Sequence, residues 1–152
     1  MRILGLVLVA GMLSACAAHT ADPSLDAEAK LFRAHPDKAC VYVLPPSRVS
    51  AATIVMDGRK VGTLGRGDYL RLDASPGTHV LYVTRPSPVP AFLREKRDDL
   101  KIVVEAGRCY FVRTAWRETD EVLQEFRLFL EQMPDDEGRR AVNVRWRVSP
   151  ER

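Results

Sequence analysis

Thr53-Ile54-Val55-Met56-Asp57-Gly58-Arg59-Lys60-Val61-Gly62-Thr63-Leu64 sets two apolar runs on either side of an Asp-Gly pair. Asp-Gly between short β-favouring runs is a tight-turn signal, because Gly accepts the positive φ that a two-residue hairpin needs. The stretch therefore predicts a β-hairpin. The same grammar continues downstream. Asp68-Tyr69-Leu70-Arg71-Leu72-Asp73 alternates apolar and polar residues with the period of a half-buried strand. Ser75-Pro76-Gly77 turns the chain, and Thr78 to Thr84 follows as a longer strand.

Upstream, Cys40-Val41-Tyr42-Val43-Leu44 is a first strand ended by Pro45-Pro46. Leu100 to Val104 and Cys109 to Trp116 form a further pair around Ala106-Gly107. Arg145 to Val148 is a final short strand or a tail. Short strands at regular spacing with turn chemistry between them argue for a sandwich or barrel. The expected fold is mainly β: an antiparallel β-sandwich of seven to eight strands with one or two short helices. Two stretches are ambiguous. Ser24 to Phe32 is a marginal helix with Ser24 as its cap. Val122 to Met133 fits one helical face and a strand equally well. Pro134-Asp135-Asp136-Glu137 looks like a helix start, with acidic residues in the first turn.

At the N-terminus, Met1-Arg2 gives a positive start, Ile3 to Met12 is uncharged and apolar, and Leu13-Ser14-Ala15 leads into Cys16. These are the marks of a secretory signal. As a helix the apolar run would rise only about 15 Å, roughly half a bilayer core, too short for a permanent span. Leu13-Ser14-Ala15-Cys16 resembles the lipobox of bacterial lipoproteins. The resemblance implies diacylglyceryl transfer to the Cys16 thiol, cleavage before Cys16 and acylation of the new amino terminus. The alternative is a simple secretory signal cut near Ala17 or Ala18. By analogy with lipoprotein sorting in enteric bacteria, Ala17 and Ala18, with no Asp after the cysteine, favour the outer membrane. The expected layout is a signal peptide over 1–15, a lipidated cysteine and tether over 16–37, and the β domain over 38–148.

Removing residues 1–15 leaves 137 residues carrying 22 basic against 20 acidic side chains. That length suffices for one domain with a real core. The near-balance gives no electrostatic case for nucleic acid. Of the three cysteines, Cys40 and Cys109 remain after Cys16. An even pair in an oxidising compartment is expected to bridge if the strands they open are neighbours, and otherwise to stay as two buried thiols. No His or third Cys lies at ligand spacing, so no metal or other cofactor is expected.

Val55-Met56-Asp57-Gly58-Arg59-Lys60-Val61-Gly62 with Ser75-Pro76-Gly77-Thr78-His79 resembles the PEGA-type repeat: a strand, a DG turn, a return strand, and a PG-x-H turn. The wider layout resembles a family of small proteobacterial lipoproteins known only as a domain of unknown function. Val41-Tyr42-Val43 matches that family's first strand, and Ala106-Gly107-Arg108-Cys109-Tyr110-Phe111 its A-G-x-x-Y strand. The resemblance covers roughly residues 38 to 142. It implies strand over Gln124 to Glu131 and helix over Pro134 to Val142, and it carries over no catalytic or binding residue.

Catalysis is not expected. No G-x-S-x-G, H-E-x-x-H or Gly-rich phosphate loop occurs. His79 stands in a strand after a turn, where bonding to the backbone is the simpler role. Two contact surfaces are conceivable. Tyr42, Tyr69, Tyr82, Tyr110, Trp116 and Trp146 could form an aromatic face, although strand aromatics usually fill the core. Arg94, Lys96 and Arg97, in the Pro-rich and charged loop after Thr84, could meet a polar or glycan ligand, although a solvated loop is the plainer reading. The expected work is non-catalytic. The protein would be a binding or scaffold module tethered to the membrane by its lipid anchor, facing an envelope protein or a cell-wall polymer such as peptidoglycan. An envelope hydrolase is the remaining alternative.

Overall fold

The computed structural model describes residues 22–45, 51–84, 98–120 and 125–151. Among them the chain runs α1 (Pro23–Ala29), β1 (Ala39–Leu44), β2 (Ala51–Met56), β3 (Arg59–Gly65), β4 (Asp68–Ala74) and β5 (Gly77–Thr84). It continues with β6 (Leu100–Val104), β7 (Cys109–Asp120), β8 (Glu125–Met133), α2 (Asp135–Asn143) and β9 (Trp146–Val148). The strands form a five-stranded sheet ordered β8-β7-β1-β4-β9 and a four-stranded sheet ordered β3-β2-β5-β6. The mainly β, sandwich-like expectation holds.

The hairpin expected around Asp57-Gly58 is present. β2 and β3 pair antiparallel, and Asp57 and Gly58 turn the chain at φ 51° and 77°. Alternate residues of both sheets meet in one core, including Val41, Val43, Leu70, Leu72 and Val112 from the larger sheet and Ile54, Leu64, Leu81 and Ile102 from the smaller.

Two of the pairings are parallel, which the short connections did not suggest. β1 runs antiparallel to β4 but parallel to β7, because the chain traverses the whole second sheet between them. β4 runs parallel to β9, because α2 lies between the two edges of the larger sheet and carries the chain from β8 to β9.

The larger sheet has a second covered face. Cys40, Tyr42, Leu44, Tyr69, Phe111 and Met133 point away from the sandwich core and pack with Ala29 of α1 and Val142 of α2. Helices, larger sheet and smaller sheet thus form three layers. β1 is buried along its whole length, which explains why Cys40 to Leu44 reads as an unbroken apolar run rather than an alternating one.

The stretch that fitted helix and strand equally resolves, and so does the helix start after it. Residues 125–133 are strand and 135–143 are helix, as the resemblance implied and against the helix-forming residues of 122–133. Pairing with β7 supplies the backbone partners that overrule propensity there. α2 lies close to the sheet because Gly138 has no side chain: a Cβ there would sit 2.2 Å from Phe111 Cγ.

α1 is no free tether. Its Asp26 and Ala29 are buried, so the packed part of the chain begins within the stretch expected to be a linker. Its cap is Asp22, whose carboxylate accepts from the Ser24 amide at 2.8 Å, not Ser24 itself. The C-terminal tail ties the two sheets together: the Glu151 amide donates to the Val61 carbonyl at 3.0 Å, and Lys60 pairs with Glu151 at 2.8 Å.

Candidate functional site

Cys40 and Cys109 are direct partners in the β1–β7 ladder, with Cα atoms 4.5 Å apart, and they form a disulfide. The bridge closes a separation of 69 residues. It lies on the helix-covered face, beside an aromatic group in which Tyr42 stacks on Phe111 at 5.1 Å between centroids. Phe32 packs against both rings. Phe32 adopts φ 52°, an unusual conformation for a bulky residue. Seating its ring in this cluster, with the Arg139 guanidinium 4.8 Å above it, offsets that cost.

α1 is fastened to the sheet by a buried polar node. Asp26, 5% exposed, accepts from Tyr69 Oη at 2.8 Å, the Arg147 amide at 2.9 Å and Lys30 Nζ at 2.7 Å. Burial by itself would raise the Asp26 carboxyl's pKa. The hydrogen bonds from Lys30, Tyr69 and Arg147 outweigh it, and the group stays below its ordinary value. Burial, with the bond to Asp26, pushes the Tyr69 hydroxyl far up, so it remains a donor. Tyr42 Oη donates to the Ala29 carbonyl at 2.5 Å. Arg147 reaches the Leu25 carbonyl at 3.1 Å and Arg71 the Arg33 carbonyl at 2.9 Å. Four side chains from three strands therefore hold one short helix and the turn that follows it.

At the outer edge of this node stands Trp146, on edge strand β9 and 64% exposed. Lys30 Nζ lies 5.3 Å from its ring centroid. Leu25 of α1 and Val144 before β9 are also exposed. Of the six aromatics considered from sequence, Tyr42 and Tyr69 are wholly buried, Tyr82, Tyr110 and Trp116 are half-buried, and Trp146 alone is exposed. The aromatics do not form one common face. Asp26, Lys30 and Arg147 were missed as a unit. The i, i+4 spacing of Asp26 and Lys30 was a signal, but nothing local tied either residue to Tyr69 or Arg147.

His79 joins two turns. Its Nδ1 lies 2.6 Å from Asp57 Oδ2 and its Nε2 lies 2.7 Å from the Ser75 carbonyl. The other Asp57 oxygen accepts from the Val80 amide at 2.9 Å. Both imidazole nitrogens face acceptors, an arrangement that the doubly protonated, cationic ring satisfies best. Partial burial opposes that charge, but the bonds to Asp57 and Ser75 prevail and raise the pKa. A ring held on both sides in this way is a structural clamp.

Cys16, Arg94, Lys96 and Arg97 lie outside the described residues, as does the 1–15 segment. Among the described residues no cluster of three His, Cys, Asp or Glu is arranged to hold a metal, and no helix is long and apolar enough to cross a membrane.

Comparison with protein families matches residues 35–125 to the family described as Protein of unknown function (DUF2846). No curated protein matches the chain.

Proposed function

The chain belongs to that family of unknown function, DUF2846, and from this premise we propose that it is a non-catalytic lipoprotein of the outer membrane. In this reading it is acylated at Cys16 and presents its sandwich to the periplasm as a binding or scaffold module. The observation that carries the proposal is the lipobox-like Leu13-Ser14-Ala15-Cys16 standing only six residues before Asp22, the cap of a helix locked to the sheet. An anchor on Cys16 would hold a stable domain whose first packed helix begins at Pro23.

The disulfide supports an oxidising compartment. The strongly interacting ionisable groups support a non-catalytic role. Asp26, Tyr69, Asp57 and His79 are engaged in holding elements together, whereas a catalytic acid or base needs access to substrate. The PEGA-like sequence of turns suits a module that supports contacts rather than chemistry. The partner is an envelope protein or a cell-wall polymer.

Crosslinking and purification of the acylated protein from membranes test the role. A defined protein complex supports the scaffold, whereas muropeptides alone support wall binding. Hydrolysis of a wall polymer by the purified protein contradicts both.

A further inference from the structure

We infer that the α1–β9 end of the domain, centred on Trp146 and Leu25, rests directly on the phospholipid surface to which Cys16 is anchored. The inference deepens the lipoprotein reading and depends on it.

The argument begins with reach. Five residues separate Cys16 from Asp22, and at about 3.5 Å per fully extended step the six steps span roughly 20 Å at most. A domain of this size is roughly 35 Å across by the scaling of compact chains. The tether is shorter than the body it holds, so the domain cannot turn its far side to the lipid. Whatever surrounds the start of α1 must face the membrane.

What surrounds it has the composition of an interfacial contact. Arg147 bonds the Leu25 carbonyl, and Lys30 lies against Trp146. The backbone of α1 is thereby fixed beside β9, with Leu25 43%, Val144 79% and Trp146 64% exposed. Tryptophan favours the headgroup level of a bilayer, where the ring's apolar body and its N–H are both satisfied. Arg145 and Arg147 flank Trp146 in sequence and turn their guanidinium groups inward, onto the Ala141 and Leu25 carbonyls. Asp22 and Glu28 offset part of that charge, so the aromatic and aliphatic groups carry the contact. The Asp26 node keeps α1 from detaching, and a locked helix lets a short tether fix an orientation.

The test uses the acylated, full mature protein in vesicles of phosphatidylethanolamine and phosphatidylglycerol carrying brominated acyl chains. Trp116→Phe leaves Trp146 as the single indole. If that variant does not fold by circular dichroism, the difference between the parent and Trp146→Phe isolates the same signal. The expected result is a blue shift of Trp146 emission on vesicle binding and loss of most of it to bromine near the headgroup end. Acylated protein, verified by mass, whose Trp146 emission ignores the vesicles overturns the surface but leaves the anchor. A response to muropeptides with none to lipid overturns it in favour of a glycan. Absence of acyl mass on Cys16 removes the lipoprotein reading and this inference together.

Discussion

His79 Nδ1 and Asp57 Oδ2 lie 2.6 Å apart, joining residues 22 positions apart in sequence. Asp57 opens the β2–β3 turn, and His79 follows the Ser75-Pro76-Gly77 turn that leads into β5. The two turn signatures are thus halves of one clamp: the DG turn supplies the carboxylate and the PG-x-H turn the imidazolium. β3 and β4 lie between them in sequence, but β2 and β5 are neighbours in the smaller sheet, so the clamp ties β5 to the hairpin at one end of that sheet.

The clamp should make stability pH-dependent with a defined sign. His79 has a pKa raised above 6.5, so its contribution is complete below 6.5 and is lost as pH rises through the higher folded value. Asp57 has a pKa lowered below 3.8, so its contribution is complete above 3.8 and is lost as pH falls through the lower folded value. His79→Ala should therefore cost most between these limits, about 1 kcal/mol for the lost hydrogen bonding. The cost should shrink in alkaline solution. Urea titrations of parent and variant across pH measure it; a penalty that does not change with pH would count against the charged form of the ring.

Asp26 is the keystone of α1. Asp26→Ala would leave the Tyr69 hydroxyl, the Arg147 amide and the Lys30 ammonium without their shared acceptor. Breaking a buried ionic group from one side costs about 3–5 kcal/mol, and partial exposure of Lys30 puts this case toward the lower end. Tyr69→Phe removes one bond, for about 1 kcal/mol. Limited proteolysis should cleave near residues 23–34 in the first variant well before the second. Equal resistance of both to the protease would mean that the node does not hold the helix.

Gly138→Ala should destabilise even though alanine is the better helix former by about 1 kcal/mol. Its Cβ would fall 2.4 Å from Phe111 Cβ, so α2 must lift from the sheet, at about 1–3 kcal/mol for an overpacked contact. A thermal melt decides the sign. A variant more stable than the parent would show that α2 sits less closely than described.

Reading the sequence worked where information is local. The Asp57-Gly58 turn, the alternation of β4 and the unbroken apolar run of β1 each announce themselves within a few residues, because turn φ values and the burial of successive side chains are local demands. Pairing partners are another matter. Nothing near Cys109 says that β7 lies parallel to β1, and nothing near Trp146 says that β9 completes the same sheet. Those facts arise from crossovers involving α2 and the whole smaller sheet. The cysteines were a partial exception, since their bridge depended on the same adjacency. α1 was undervalued because it and the turn after it are held by Tyr42, Tyr69, Arg71 and Arg147, all distant in sequence from its seven residues.

The Cys40–Cys109 bridge should contribute about 4 kcal/mol by the loop-closure argument for a 69-residue separation. Replacing both cysteines by alanine should lower the denaturation midpoint accordingly. A reductant should lower the parent toward the variant and leave the variant unchanged. A double variant as stable as the oxidised parent would mean that the bridge adds nothing to folding.

The claim on which location and orientation both depend is acylation of Cys16, and labelled palmitate measures it directly. Label should enter the parent, which stays with the membrane fraction, and be missing from Cys16→Ser, which should lose membrane attachment. An unlabelled parent, or a Cys16→Ser protein that sediments with membranes as the parent does, would contradict the account.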